Sequence, residues 1–179
     1  MYDLNDIRKY IFRDAPEGLI VDTNLLILFL IGKYDIDLVE NCRLTSKYHK
    51  DDYELLCRIM QLFKKLIITP HIVAEISNLS KNELKDQKLA AYVSVFINFL
   101  NTPSLEEKYV GIEKFFGVEI KLISYFGFTD MAIYELSKDS KLPFITDDDR
   151  FYQFSCNKTP CIKFQHIKNA SLNSIFAKK

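Results

Sequence analysis

Apolar residues along this chain fall either into short unbroken runs or into helical stripes, and the two patterns alternate. "GLIVD" (18–22) is an unbroken run, as expected of a strand buried on both faces. "LIITP", "LPFIT" and "CIKFQHI" repeat it, so four buried strands are expected. Between them the period changes. Asn24 is expected to cap a helix over Leu25–Gly32. "DYELLCRIMQLFKKL" carries an apolar stripe at Leu55, Leu56, Ile59, Met60, Leu62 and Phe63. Pro70 suits the first turn of a helix through "HIVAEISNL", because its missing N–H is unbonded there anyway.

"NELKDQKLAAYVSVFINFL" reads as one long helix and "SLEEKYVGIEKFF" as a shorter one, while "GVEIKLISYFGF" fits helix or strand. Thr129 caps a helix "DMAIYELSKDS", "DDRFYQF" opens another, and "LNDIRKYIF" makes a short amphipathic helix near the N-terminus. The polar stretch from Lys33 to Asp52 reads as a loop, and with the stripe after it forms a helical insertion around 33–65. Strands alternating with helices imply parallel βαβ units. The expected fold class is therefore α/β, a three-layer α/β/α sandwich around a central, mostly parallel sheet. One domain over residues 1–179 accommodates it.

Composition narrows the class. The chain is 48% hydrophobic and 27% charged, a globular rather than a disordered balance. Its longest apolar run, Leu25–Ile31, is far too short to span a bilayer, and the mixed-charge start "MYDLNDIRKY" is not of signal-peptide type. A cytoplasmic protein without a membrane role is expected. Cys42, Cys57, Cys156 and Cys161 show no CxxC spacing and read as reduced thiols. The net charge of zero argues against a protein that coats nucleic acid by charge alone.

The acids carry the candidate chemistry. Asp22 ends the first strand, Glu75 lies one turn into the helix after the second, and Asp130 opens a helix behind Thr129. Asp147, Asp148 and Asp149 follow the third strand. In an open parallel sheet the crevice beyond the carboxyl ends of the strands is where ligands bind. Carboxylates converging there repel unless a cation neutralises them. A donor set of oxygens without His or Cys suits Mg²⁺ or Mn²⁺, ions that assist phosphodiester hydrolysis.

Four stretches also carry a resemblance. "LIVDTNLL", "TPHIVAEISNL", "GFTDMAIYEL" and "FITDDDRF" resemble, in that order, the motif blocks of PIN-domain ribonucleases, including the toxin-like nucleases of toxin–antitoxin systems. The match runs from about Gly18 to Phe164. It implies a PIN-like fold and metal binding by Asp22, Glu75, Asp130 and Asp148, the last through a Thr-x-Asp pattern that starts at Thr146. Asn24, Thr146 and Asp147 would orient those carboxylates. It further implies an RNA substrate, a homodimer and an antitoxin partner. Many toxin members are shorter; the extra length here lies between Lys33 and Lys65 and at the C-terminus.

Blander readings stand beside these. Asp22 also suits a helix cap, Asp130 a first-turn acid favoured by the helix dipole, and two of the three consecutive aspartates a turn. Lysines such as Lys64, Lys65, Lys163, Lys168, Lys178 and Lys179 could line an RNA path, but each fits a solvated surface charge better. Arg150 is the strongest candidate for a phosphate contact, because it flanks the acids. His71 reads as a packing residue. A phosphatase with an aspartate nucleophile needs a second Asp two residues on, where this chain has Asn24. An inactive PIN-like scaffold, or a partner-binding protein, is the remaining alternative.

Overall fold

Leu19–Val21, apolar on both faces, becomes β1 and takes the centre of the sheet with every residue buried. A computed structural model describes residues 17–169, so the expected N-terminal helix, Lys178 and Lys179 lie outside the described residues. Strand β2 (Leu66–Ile68) pairs with β1 in parallel through Leu19 opposite Leu66. On the other side β4 (Phe144–Thr146) pairs with β1 through Val21 opposite Ile145. Strands β3 (Leu105–Glu107) and β5 (Cys161–Lys163) close the two edges. The five strands run parallel in the order β3-β2-β1-β4-β5 with helices flanking the sheet, the α/β class expected.

The strand order reverses at β1. From β1 the chain moves outward to β2 and β3, then returns to place β4 on the opposite side. The crevice at such a switch point lies between the ends of β1 and β4.

Helix α1 (Thr23–Tyr34) follows β1 directly. It is apolar almost all round and therefore covered on several sides, with Leu25, Leu26, Ile27, Leu28, Leu30 and Ile31 buried. It packs against α2 (Lys50–Met60) and α4 (Asp86–Leu100), where the Phe29 and Phe99 rings meet at 5.3 Å. Helix α3 (Pro70–Glu83) starts with Pro70 in its first turn and Thr69 as its cap. It packs against α5 (Ile120–Ser140), which in turn packs against α6 (Asp149–Ser155). Among the described residues no helix is long and apolar enough to cross a membrane. All four cysteines are free thiols.

Several elements differ from the sequence reading. The expected long helix is broken: Leu84 turns extended and Asp86 adopts φ 50°, so α3 stops and α4 starts anew. Burying the Leu84 side chain drives that turn, and aspartate tolerates the left-handed region better than most residues. The expected helix in "SLEEKYVGIEKFF" is instead edge strand β3 followed by a 3-10 turn, Ile112–Phe115. Its backbone is held to β2 on both sides, Leu66 N–H to Ser104 and Lys108 N–H to Ile68, while Lys65 and Lys108 pair with Glu106. The fourth expected strand stops at Lys163, and Phe164–Asn169 forms α7 with Phe164 and Ile167 buried.

The polar stretch after α1 is irregular but not loose. It contains a 3-10 turn at Ile36–Leu38 and buries Val39, Cys42, Thr45 and Tyr48, one residue in three.

The ambiguous stretch before Asp130 is helical, with a break at Gly127 (φ 82°, ψ 173°) inside α5. That conformation is open in practice only to glycine and costs other residues about 1–3 kcal/mol. A Cβ placed there meets nothing within 4 Å, so backbone strain alone is at issue. Gly127→Ala is expected to lower unfolding free energy by about 1–3 kcal/mol. Urea denaturation of the variant beside the parent measures this; an unchanged midpoint and slope would show that the kink is not needed.

Candidate active site

Strand β1 runs straight into Asp22, whose side chain is only 2% exposed. Asp22 occupies the cap position of α1, in place of the expected Asn24, but its side chain makes no cap hydrogen bond. Its Oδ2 instead accepts a hydrogen bond from Thr146 Oγ1 at 2.6 Å, across the seam between β1 and β4. Thr146, fully buried, also accepts the Asp148 N–H at 3.0 Å. The Asp148 carboxylate accepts the Phe151 N–H at 2.8 Å and so caps α6. One hydroxyl therefore sets the positions of two acids.

A second hydroxyl does the same on the other flank. Thr23, the first residue of α1, is buried and donates to Glu75 Oε2 at 2.8 Å, tying α1 to α3. Sequence reasoning passed over Thr23 in favour of Asn24, which here is exposed in the first turn. The signal was present: on a helix that starts immediately after a buried Asp, one of two consecutive polar residues must face inward.

The four acids share one field. Burial is the main cause that pushes Asp22 up to about 6, with the charges of Glu75 and Asp148 adding to it; hydrogen bonds from Thr146 and the Thr23 N–H oppose the rise. Asp130, half-buried at the start of the second half of α5, is pushed up to about 8 by burial first, then by Asp22, Glu75 and Asp148. Among the described residues, no ion pair reaches Asp22, Glu75, Asp130 or Asp148. Nor do any three carboxyl, thiol or imidazole groups among the described residues stand together as a ready-made ion cage.

Asp147 and Asp149 are different. Lys47 Nζ lies 3.2 Å from Asp147 Oδ2, and Lys163 Nζ lies 2.9 Å from Asp149 Oδ1. Lys163 also donates to the Asp147 carbonyl at 2.6 Å. The Asp147 side chain therefore faces cations rather than the neighbouring carboxylates, contrary to the orienting role expected for it. Among the described residues, the middle acid of "DDD", Asp148, has no lysine ion pair. Lys163 itself is 4% exposed, which removes it from any surface path for RNA. Lys168 is paired with Asp52 at 2.8 Å, Lys64 with Glu17, and Lys65 with Glu106.

Arg150 is exposed, and its guanidinium lies 5.3 Å from the centre of the Tyr125 ring. The Tyr125 hydroxyl, and then the charge of Asp148, hold it more firmly protonated than an isolated arginine. His71 packs edge-on against Phe115 at 5.7 Å, as a packing residue should.

No family model matches this sequence, and no curated protein matches it. Among solved structures the chain is similar to a chain of VapBC2 from Rickettsia felis, determined bound to a DNA fragment from their promoter. The two are 13% identical with a TM-score of 0.52, over 82% of this chain and 98% of that one. At that identity the likeness shows the fold alone. It agrees with the PIN-like fold that the four motif blocks imply.

The electrostatics predict a pH dependence without added metal. An acid whose pKa is higher in the folded than in the unfolded chain binds its proton more tightly when folded. Stability is then full below the unfolded value near 4 and falls as pH rises towards the folded value. With Asp22 near 6 and Asp130 near 8, the melting temperature is expected to decline between about pH 4 and pH 8. Asp130→Asn should flatten that decline. Thermal melts across the range in EDTA test it, and parallel curves for parent and variant would contradict the shared field.

Proposed function

We propose that this protein is a metal-dependent endoribonuclease that hydrolyses RNA phosphodiester bonds at the carboxyl edge of its sheet. The observation that carries the reading is the unpaired acid group. Asp22 is buried where an anion is costly, its neighbours Glu75, Asp130 and Asp148 are all acids, and among the described residues none of them is within ion-pair distance of a lysine or arginine. The chain pairs almost every other acid nearby, so the missing cation belongs to a ligand.

Asp22, Glu75, Asp130 and Asp148 would hold Mg²⁺ or Mn²⁺. Their donor chemistry fits: all oxygen, no thiol, no imidazole. Magnesium keeps several of its waters and takes only one or two carboxylates directly, so it does not require a preformed cage. When bound, such an ion makes water a stronger nucleophile at neutral pH and offsets charge on the leaving oxygen. The chain's own residues do the rest. Thr146 fixes Asp22 and the backbone of Asp148, and Thr23 fixes Glu75. Asp130 has a raised affinity for a proton, so cation binding there would be coupled to the loss of that proton. Arg150 is exposed beside Asp148 and supplies a forked donor for a substrate phosphate.

Similarity to a VapBC2 chain supports a toxin-type nuclease with an antitoxin as partner, while the resemblance of the four motif blocks alone suggests a homodimer as the working unit. A second reading, an inactive PIN-like scaffold or partner-binding protein, is favoured by one observation: among the described residues no three donors form a ready-made ion cage.

Asp22→Asn is expected to abolish Mg²⁺-dependent cleavage of a labelled single-stranded RNA without loss of fold. Thr146→Val should slow it by about 10- to 100-fold, the usual effect of losing a group that orients a metal-binding carboxylate. Cleavage by Asp22→Asn at the parent rate would end the assignment. Independently of activity, millimolar Mn²⁺ should raise the parent's melting temperature, by the equivalent of about 2.7 kcal/mol at a hundred times Kd. Asp22→Asn should lose the shift. A parent that melts identically with and without Mn²⁺ selects the scaffold.

A further inference from the structure

We propose that Tyr125 and Phe128 form a stacking shelf for bases of single-stranded RNA beside the acidic crevice, an inference that rests on the ribonuclease reading above. Both rings are large, apolar and mostly in solvent, Tyr125 at 58% and Phe128 at 56% exposure. The two rings lie within one four-residue stretch, and exposed aromatic rings clustered in this way mark contact surfaces.

The local chain geometry puts them there. In "YFGFTD" the Gly127 break separates two helical pieces. Phe126 turns inward onto Phe151 at 5.8 Å and Phe154 at 5.0 Å, while its neighbours Tyr125 and Phe128 stay out. The outward rings are nevertheless braced. Tyr125 meets Phe126 edge to face at 4.8 Å, and Phe128 meets Phe115 at 5.3 Å. Phe115 in turn contacts His71, in the first turn of the helix that carries Glu75.

The shelf is also tied to the acids by sequence. Phe128 precedes Asp130 by two residues, and Arg150 follows Asp148 by two. The Arg150 guanidinium lies over the Tyr125 ring, and among the described residues it is ion-paired with no carboxylate. A ring and an exposed guanidinium with no carboxylate ion pair in one place match a nucleotide, which brings a flat base and a phosphate together. An aliphatic peptide would leave the guanidinium unused.

The test exploits the absence of tryptophan from the chain. Tyr125→Trp keeps an aromatic ring and adds a single indole whose emission reports stacking. The probes are a short labelled oligoadenylate and an abasic oligonucleotide of the same length, both in EDTA so that nothing is cut. Oligoadenylate is expected to quench the indole of Tyr125→Trp, and the abasic strand to leave it unchanged. By fluorescence anisotropy, Tyr125→Leu and Phe128→Leu should each bind oligoadenylate about ten-fold more weakly than the parent and the abasic strand equally well.

Quenching by the abasic strand, or full affinity in both leucine variants, would overturn the shelf. So would an emission change that follows protein concentration alone, which assigns the face to a second copy of the chain. The ribonuclease reading fails separately: stacking without any Mg²⁺-dependent cleavage by the parent keeps the shelf and removes the nuclease, whereas leucine variants that cut and bind like the parent remove only the shelf.

Discussion

Burial of the Asp22 carboxyl at the end of the central strand is the constraint around which the rest of the edge is arranged. An anion with so little access to water must be offset locally or give up its charge. The chain answers with dipoles rather than with a lysine: the Thr146 hydroxyl and the Thr23 amide both point at it. These lower the cost without neutralising the group. Because Thr146 belongs to β4 and Asp22 follows β1, the bond also locks together the two strands that flank the switch point. The fold and the chemistry of the edge therefore rest on the same contact.

Around that contact the acids are sorted into two classes. Asp147 and Asp149 are matched by Lys47 and Lys163, and the buried Lys163 fastens the β4–α6 turn to β5. Asp22, Glu75, Asp130 and Asp148 are positioned by hydroxyls and amides, or only half-buried, and among the described residues none has an ion-pair partner. A net charge of zero for the whole chain hides this separation, because the lysines are spent on other acids.

Much of this was readable from residue order, and the exceptions have physical reasons. β1, β2 and β4 are legible because a strand covered on both faces needs an unbroken apolar run. β3 is not, because "LEE" is half polar and becomes a strand only through pairing with β2, with Glu106 held by Lys65 from 41 residues away. The break between α3 and α4 has no Pro or Gly to announce it. At the site, the strand ends that precede Asp22 and Asp148 could be located from pattern alone, whereas Thr129, expected as a cap, lies inside α5 after its break at Gly127. Whether Thr23 or Asn24 faces inward depends on the residue at which α1 begins, one position before the cap the pattern suggested. Lys163 reads as a surface charge until its partners, brought in by the β4–α6 turn, make its burial tolerable.

The irregular stretch after α1 has a consequence for how this chain can change length. Val39, Cys42, Thr45 and Tyr48 are anchored at every third position, and hydrogen bonds link Cys42 to Thr45 and Thr45 to Tyr48 along the same step. One inserted or deleted residue between Val39 and Tyr48 would break this spacing of buried positions. Lys47 would swing away from Asp147, and Tyr48 would leave the interior. What looks like spare surface chain is a threaded part, in which a change of length would unseat buried side chains.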